Sequence, residues 1–200
     1  MHVKKQTILS VLISTIILCA SADPVMAYVL LSPRRRWAST PITVRVYTGG
    51  NSTITDGDGG VTATVNAIRV WGIISSSTTG SAAVRGSAPA TIMLNTNGGV
   101  CTGTCLAATL TGYYTSLSGD DRIDDADIYT NTAQPLYSSR ESGCSGEYDI
   151  DGIMAHEVGH LIGIGHSNVS GATMYPSISA CNTAPRSLAS DDLAARDDLY

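Results

Sequence analysis

The chain has 200 residues, of which 43% are hydrophobic, and its formal net charge at pH 7 is −5. This length suits one domain, because domains cluster at roughly 100–150 residues, and the apolar fraction is sufficient for a core. The acidic balance excludes the basic face that nucleic-acid binding requires.

The first 27 residues have the order of a secretory signal peptide. Two lysines precede an apolar run from Ile8 to Ala20, and small residues then offer cleavage after Ala22 or Ala27. The run is shorter than the roughly 20 residues of a membrane-spanning helix, so we expect no membrane association once the signal is removed. We predict a secreted, extracellular and monomeric domain over residues 28–200.

Lipidation at Cys19 is an alternative for this segment, although Leu18 is poorly suited to precede a lipidated cysteine. If the signal takes Lys4, Lys5 and Asp23 with it, 12 basic and 17 acidic residues become 10 and 16, a net charge of −6. The mature domain is therefore more acidic than the whole chain.

Four segments of the mature chain have the periodicity of regular elements. Residues Ile42–Tyr47 alternate at period two and predict a strand. Val61, Val65, Ile68 and Gly72 follow helical spacing and predict an amphipathic helix of three or four turns. Ala90–Leu94 and Ala126–Thr130 predict two further strands, so the first half alternates in the α/β manner.

Two acidic stretches, Asp56–Gly60 and Gly119–Asp125, are predicted as loops. Clustered carboxylates in loops can ligate Ca²⁺ through oxygen, and they can equally form solvated turns. Both interpretations stay open, since neither stretch has the spacing of an EF-hand.

Four cysteines remain after the signal: Cys101, Cys105, Cys144 and Cys181. Their even number and an oxidising compartment favour two disulfides. We expect Cys101 with Cys105 and Cys144 with Cys181. The first pair closes a short, sterically demanding loop, so the crossed pairings stay open.

One segment carries a metal-binding pattern, His156-Glu157-x-x-His160-x-x-Gly163-x-x-His166. Residues four apart share a helix face, so His156 and His160 can bind one zinc ion. Gly163 permits the positive-φ turn that ends the helix and returns His166 as a third ligand. Three protein nitrogens leave the fourth tetrahedral position open, which is typical of catalytic zinc, and Glu157 is placed as general base.

The motif and its surroundings resemble the metzincin zinc endopeptidases, and within them the matrixins. Ser167, directly after the third histidine, is typical of matrixins, and a Met-turn follows at Ala172–Pro176 with Met174. The tyrosine ligand of astacin-like and serralysin-like relatives is absent, since Tyr175 lies one position too early. The resemblance extends over most of the mature chain through Arg36-Trp37, Trp71, Ala126–Ile128 and Arg186–Asp192.

The resemblance implies an α/β (α+β) metzincin fold with a twisted, mixed five-stranded sheet, two long helices and a C-terminal helix. It implies that Met174 supports the zinc ligands, and that Asp191 and Asp192 tie the last helix to the N-terminus and the Met-turn. Alternatively, these two acids only complement a helix dipole. Gly152 matches a position lining the main specificity pocket, where a missing side chain would leave the pocket deep.

The predicted reaction is hydrolysis of peptide bonds in a protein or peptide substrate, by a water that zinc activates and Glu157 deprotonates. A secreted zinc hydrolase of another amide bond, such as a cell-wall peptide amidase, and a zinc-stabilised binding module are the alternatives. The family's structural zinc uses histidines upstream of the motif. The mature chain has none before His156, so we expect one zinc ion.

The segment ahead of the first predicted strand bears on latency. No cysteine lies between Ala27 and Arg36 to act as a matrixin propeptide switch, so we expect activity without a pro-form. The resemblance implies that the arm containing Arg34–Trp37 packs onto the body.

Overall fold

The computed structural model describes residues 27–82, 89–116 and 119–200. The predicted signal peptide, apart from Ala27, and Cys19 lie outside the described residues. Within these ranges the elements are β1 (Arg35–Trp37), β2 (Ile42–Tyr47), α1 (Val61–Ile68), β3 (Ile74–Thr79), β4 (Ala90–Met93), β5 (Ala107–Tyr114), β6 (Asp121–Thr130), β7 (Leu136–Tyr137), β8 (Tyr148–Asp149), α2 (Ile150–Leu161) and α3 (Ser190–Leu199). None of these helices is long and apolar enough to cross a bilayer.

The main sheet is mixed, as predicted. Strands β3, β2, β4 and β6 lie side by side and parallel, and β5 pairs with β6 in the antiparallel direction. The sheet has six strands where five were expected, because β1 pairs with the first residues of β6. A strand of three residues carries too little alternation to be predicted from sequence.

Strand β2 and helix α1 follow their predicted patterns closely. Strand β2 has the predicted bounds, and α1 begins at Val61 as predicted. The α-helix ends at Ile68, earlier than expected. A 3-10 turn at Arg69–Trp71 continues it, and Gly72 ends the turn with a φ of 71°. The predicted strand at 90–94 is one residue shorter, as β4.

The structure corrects the loop predicted at 119–125. Strand β6 begins at Asp121, so only Gly119 and Asp120 of this stretch lie outside the strand. Asp121, Ile123 and Asp125 are buried while Arg122 is exposed, which is the alternation of a strand. The sequence did not predict this part of the strand, because Asp residues are seldom buried and were therefore not expected at core positions.

The other acidic stretch, at residues 56–60, is a turn that its own side chain organises. The Asp56 carboxylate accepts hydrogen bonds from the main-chain N–H groups of Asp58 and Gly60, both at 3.1 Å. Asp side chains commonly stabilise turns in this way.

Helices α1 and α2 pack together against the sheet and bury one continuous core. Helix α2 is buried along most of its surface, because the sheet, α1 and the C-terminal segments surround it. Its first turn is capped by Asp149, whose carboxylate accepts the N–H of Gly152 at 2.8 Å. The core includes these fully buried side chains: Trp71, Ile68, Ile92, Leu94, Ile128, Ile150, Met154, Leu161, Ile162, Ile164 and Met174.

The N-terminal arm packs against the end of α2, as expected. Leu31 donates its N–H to the Gly163 carbonyl at 3.1 Å, and the Trp37 indole donates to the Leu161 carbonyl at 2.9 Å. The arm therefore supports the chain where it leaves α2.

Candidate metal centre

Helix α2 carries two of the three histidines of the site. His156 and His160 lie one turn apart, with ring centroids separated by 4.8 Å. The Nδ1 atom of His156 lies 2.7 Å from the Thr173 carbonyl, and that of His160 lies 2.8 Å from the Ile164 carbonyl. A carbonyl only accepts, so each Nδ1 carries the proton and each Nε2 is left with a lone pair for a metal.

A sharp turn after α2 brings the third histidine to the same place. Gly163 has a φ of 105°, and a Cβ atom at this position would collide with the Arg35 carbonyl oxygen. The chain reverses here, so that Nε2 of His166 lies 3.2 Å from Nε2 of His160. Each of the three imidazoles contributes one nitrogen to a group whose members all lie within 4.8 Å of one another.

This donor set fits zinc. Two nitrogens bound tetrahedrally at about 2.0–2.1 Å from one zinc ion lie roughly 3.3–3.4 Å apart, close to the 3.2 Å between His160 and His166. Ligands must also be uncharged imidazoles. Burial, aided by the neighbouring His160, lowers the pKa of His156 to about 3, and burial also lowers the pKa values of His160 and His166.

A second group of metal-type side chains in the described ranges contains Cys144, Glu147 and Cys181. Its two sulfur atoms are joined as a disulfide, so they offer no thiolate to a metal. Among the residues that the structure describes, the three histidines are therefore the group that can bind zinc.

Glu157 lies beside this set and is almost fully buried, with 7% of its surface exposed. Burial raises the pKa of its carboxyl to about 7, against lowering effects from a Thr109 hydrogen bond and from His166. Its Oε2 atom accepts the Thr109 hydroxyl at 2.6 Å. A base with a pKa near the working pH is suited to taking and returning a proton.

The turn that follows the third histidine packs beneath α2. Met174 is fully buried, and its thioether fills the space left by the absent side chain of Gly159. The Asp192 carboxylate accepts the main-chain N–H groups of Thr173 and Met174 at 2.7 and 2.9 Å. Helix α3 thus holds the segment whose Thr173 carbonyl orients His156.

Asp191, the neighbouring acid of α3, holds two other segments. Its carboxylate accepts the Ser167 hydroxyl at 2.6 Å and the Ala27 N–H at 3.0 Å. The two acids therefore make tertiary hydrogen bonds to Ala27, the last residue of the predicted signal peptide, to the segment after His166 and to the Met-turn.

The histidines open into a cleft of about 440 Å³. One wall is residues 104–109, which lead into β5 and include its first three residues, and the other includes residues 175–178 and Pro185. Gly152 lines this cleft as predicted, but the missing side chain adds no depth. A Cβ atom there would lie 3.2 Å from Pro185 and 3.6 Å from Ile178, so the opposite wall already packs close to the glycine.

Both expected disulfides are present, Cys101–Cys105 and Cys144–Cys181. The second links the loop ahead of α2 to the segment that follows the Met-turn. Arg186 also fixes that segment, because its guanidinium donates to both carboxylate oxygens of Asp149 at 3.0 and 2.5 Å.

Sequence reasoning missed two partners of this site. Thr109, which contacts Glu157, lies 48 residues before it, and the Asp149 partner of Arg186 lies 37 residues before that arginine. Neither pair leaves a local pattern, because both depend on how distant segments meet.

Comparison with known proteins agrees with the geometry. The sequence profile of the matrixin family of M10 peptidases matches residues 101–200. Karilysin of Tannerella forsythia is 50% identical over 52 residues, which are 26% of this chain and 10% of that protein. Neutrophil collagenase of Homo sapiens is 32% identical over 84 residues, 42% of this chain and 15% of that protein.

A plant protein is also similar to part of the chain. Metalloendoproteinase 1 of Glycine max is 40% identical over 60 residues, 30% of this chain and 19% of that protein. The matched segments thus span less than a fifth of the length of each of these three relatives.

Proposed function

The chain belongs to the matrixin family, and from this premise we propose that it is a secreted zinc endopeptidase that hydrolyses peptide bonds in proteins. The observation that carries the proposal is the convergence of His156, His160 and His166 beside the buried Glu157. Two disulfides support an oxidising, extracellular compartment.

The three histidines would hold one zinc ion through their ring nitrogens. Zinc bound there supplies Lewis-acid chemistry, which polarises a carbonyl group and lowers the pKa of a water molecule. The Thr173 and Ile164 carbonyls keep two of the rings in the required tautomer. Such partners usually raise metal affinity about 10–100-fold.

Glu157 is the proposed general base. Its carboxylate removes a proton from the attacking water and later gives that proton to the departing amine, so no covalent intermediate with the protein is required. Burial and the neighbouring β5 strand keep bulk water from competing for this carboxylate.

The cleft suits an extended polypeptide. Within the described residues, β5 pairs on one side only, with β6, and its first residues line the cleft. An unpaired strand edge can bind a peptide through main-chain hydrogen bonds. The apolar side chains of Ile153 and Ile178 offer contacts for a substrate side chain.

The test uses the full mature chain, exported and oxidised, with casein and gelatin as substrates. We expect internal cleavage, loss of activity with 1,10-phenanthroline, and recovery on addition of zinc. Glu157→Gln, prepared in parallel, is the control for contaminating protease, since it keeps the three histidines.

Two results would overturn the proposal. If the chain releases amide-linked peptides from cell-wall material but cleaves neither casein nor gelatin, it is an amidase. Binding of zinc without hydrolysis of any amide would make it a binding module.

A further inference from the structure

A hydroxyl group from the sheet lies against the Glu157 carboxylate. The Thr109 Oγ1 atom is 2.6 Å from Oε2 of Glu157 and 2.9 Å from the main-chain carbonyl oxygen of the same residue. Hydrogen bonds from a hydroxyl to a carboxylate are typically 2.5–2.7 Å long. A hydroxyl has one proton to donate, so the shorter contact, to Oε2, is the main hydrogen bond and the carbonyl oxygen is a secondary acceptor.

Thr109 is held rigidly enough to fix its partner. It lies within β5, opposite Ile128 of β6, so its backbone is held by the strand pairing. A β-branched side chain has few accessible rotamers in such a position. The hydroxyl is consequently a fixed point, whereas a free glutamate side chain has three rotatable bonds.

The contact engages one carboxylate oxygen and leaves the other available. Oε2 accepts from Thr109, and no hydrogen bond from the described residues ends on Oε1 of Glu157. A carboxylate held in this way has one oxygen for its support and one for a substrate water.

We propose that Thr109 is a positioning residue, whose hydroxyl holds the Glu157 carboxylate in the orientation that general-base catalysis requires. This inference rests on the proposed peptidase function. It adds that the strand lining the cleft also orients the base. Misplacement of a catalytic group by about 1 Å can cost roughly 100-fold in rate, so loss of one fixing bond should appear mainly in kcat.

The first test compares Thr109→Val, which keeps the shape and loses the hydroxyl, with Thr109→Ser, which keeps the hydroxyl. Thr111→Val, two residues along the same strand, is the matched control. We expect Thr109→Val to lower kcat about 10–100-fold with KM and zinc content unchanged. Thr109→Ser and Thr111→Val should stay within about threefold of the wild type. Equal kcat values for Thr109→Val and the wild type would overturn the proposal.

A double-mutant cycle shows whether Thr109 acts through Glu157. In the Glu157→Gln background, Thr109→Val should cause no further loss, because the base it positions is already absent. Independent, additive losses would mean that Thr109 acts elsewhere, and would also overturn the proposal.

A crystal structure of zinc-loaded Thr109→Val separates this inference from the proposed function. We expect the Glu157 carboxylate to leave its position or to adopt more than one conformer. A single, unchanged conformer would refute the positioning role whether or not the wild-type chain cleaves proteins. If the wild type has no peptidase activity but the Glu157 carboxylate is displaced in the variant, the proposed function is refuted and the positioning role of Thr109 is not.

Discussion

The indole of Trp71 donates a hydrogen bond to the Ala155 carbonyl at 2.8 Å, and both residues are fully buried. This bond joins the 3-10 turn that follows α1 to the middle of α2, the helix that carries two of the histidines. The ring can approach because Gly159, one turn further along α2, has no side chain.

Substitution of Gly159 by alanine tests this packing. A Cβ atom there would lie 2.9 Å from Trp71 and would overlap the sulfur of Met174. Alanine favours a helix by about 1 kcal/mol over glycine, whereas overpacking a core costs about 1–3 kcal/mol. The difference is a net loss of about 0–2 kcal/mol, and the overlap with the Met174 sulfur favours the upper end of that range. We therefore expect a loss of about 2 kcal/mol in urea unfolding and weaker zinc retention.

Gly80→Ala is the control for this variant, because no atom lies within 4 Å of its Cβ position and its φ is not positive. We expect its unfolding free energy to remain within about 0.5 kcal/mol of the wild type. Equal stability of Gly159→Ala and Gly80→Ala would contradict the packing argument.

Arg186→Met should destabilise the chain by about 2–4 kcal/mol, because it leaves the buried Asp149 carboxylate without its cation. The Asp149 side chain is 1% exposed and that of Arg186 is 32% exposed. Arg186→Lys should recover only part of the loss, since an ammonium group cannot match the two-point contact. Thermal or urea unfolding measures both.

An ion pair on the surface serves as the control for the Arg186–Asp149 pair. It joins Arg140 and Asp58, whose side chains are 46% and 31% exposed. Arg140→Met should cost less than about 1 kcal/mol. If the two arginine-to-methionine variants lose the same stability, the burial of Asp149 has no energetic consequence and the explanation is wrong.

The two disulfides should differ in their effect on stability. Cys144 and Cys181 are 37 residues apart, whereas Cys101 and Cys105 are 4 apart. Loop-closure entropy gives about 4 kcal/mol for the long loop and about 2 kcal/mol for the short one. Paired Cys→Ala variants, measured by urea unfolding, should preserve this order, and a larger loss for the short loop would refute it.

Local patterns predicted the parts of the fold that have two distinct faces. Strand β2 alternates between buried and exposed residues, and its bounds match the prediction. Strand β3, Ile-Ser-Ser-Ser-Thr-Thr, lies at the edge of the sheet and has no fully buried residue, so its sequence does not alternate between apolar and polar residues. The first half of β6 was missed because its inward residues include Asp121 and Asp125.

The candidate site also has some parts that local sequence patterns predict and others that they do not. The histidines and Glu157 lie within eleven consecutive residues, so helical spacing and one glycine turn place them together. The contact of Thr109 with Glu157 joins separate elements and was not predicted. The contact of Asp192 with Met174 also joins separate elements, and it was expected only from the resemblance to matrixins. Such contacts follow from the tertiary fold and leave no periodic signal in the sequence.

Glu157→Ala should keep zinc and lose nearly all activity. The residue is outside the group of nitrogen donors, and positioned general bases typically contribute 10²–10⁴-fold to the rate. Zinc content by elemental analysis and turnover of a quenched fluorescent peptide are measured on the same preparation. A variant that retains a tenth of the wild-type rate would remove this carboxylate from its proposed role.

The mature chain should bind one equivalent of zinc. Of the three proposed ligands, His166 is the one best suited to a substitution test. It is exposed, whereas His156 and His160 are partly buried in α2, so His166→Ala removes a ligand with little loss of packing. We expect zinc affinity to fall by more than about 100-fold, beyond the effect of losing a supporting contact, with the unfolding temperature of the metal-free protein unchanged. Tyr175→Phe, which alters an exposed residue of the same cleft, should retain a full equivalent. Retention of zinc by His166→Ala, or two tightly bound equivalents in the wild type, would contradict a single three-histidine centre.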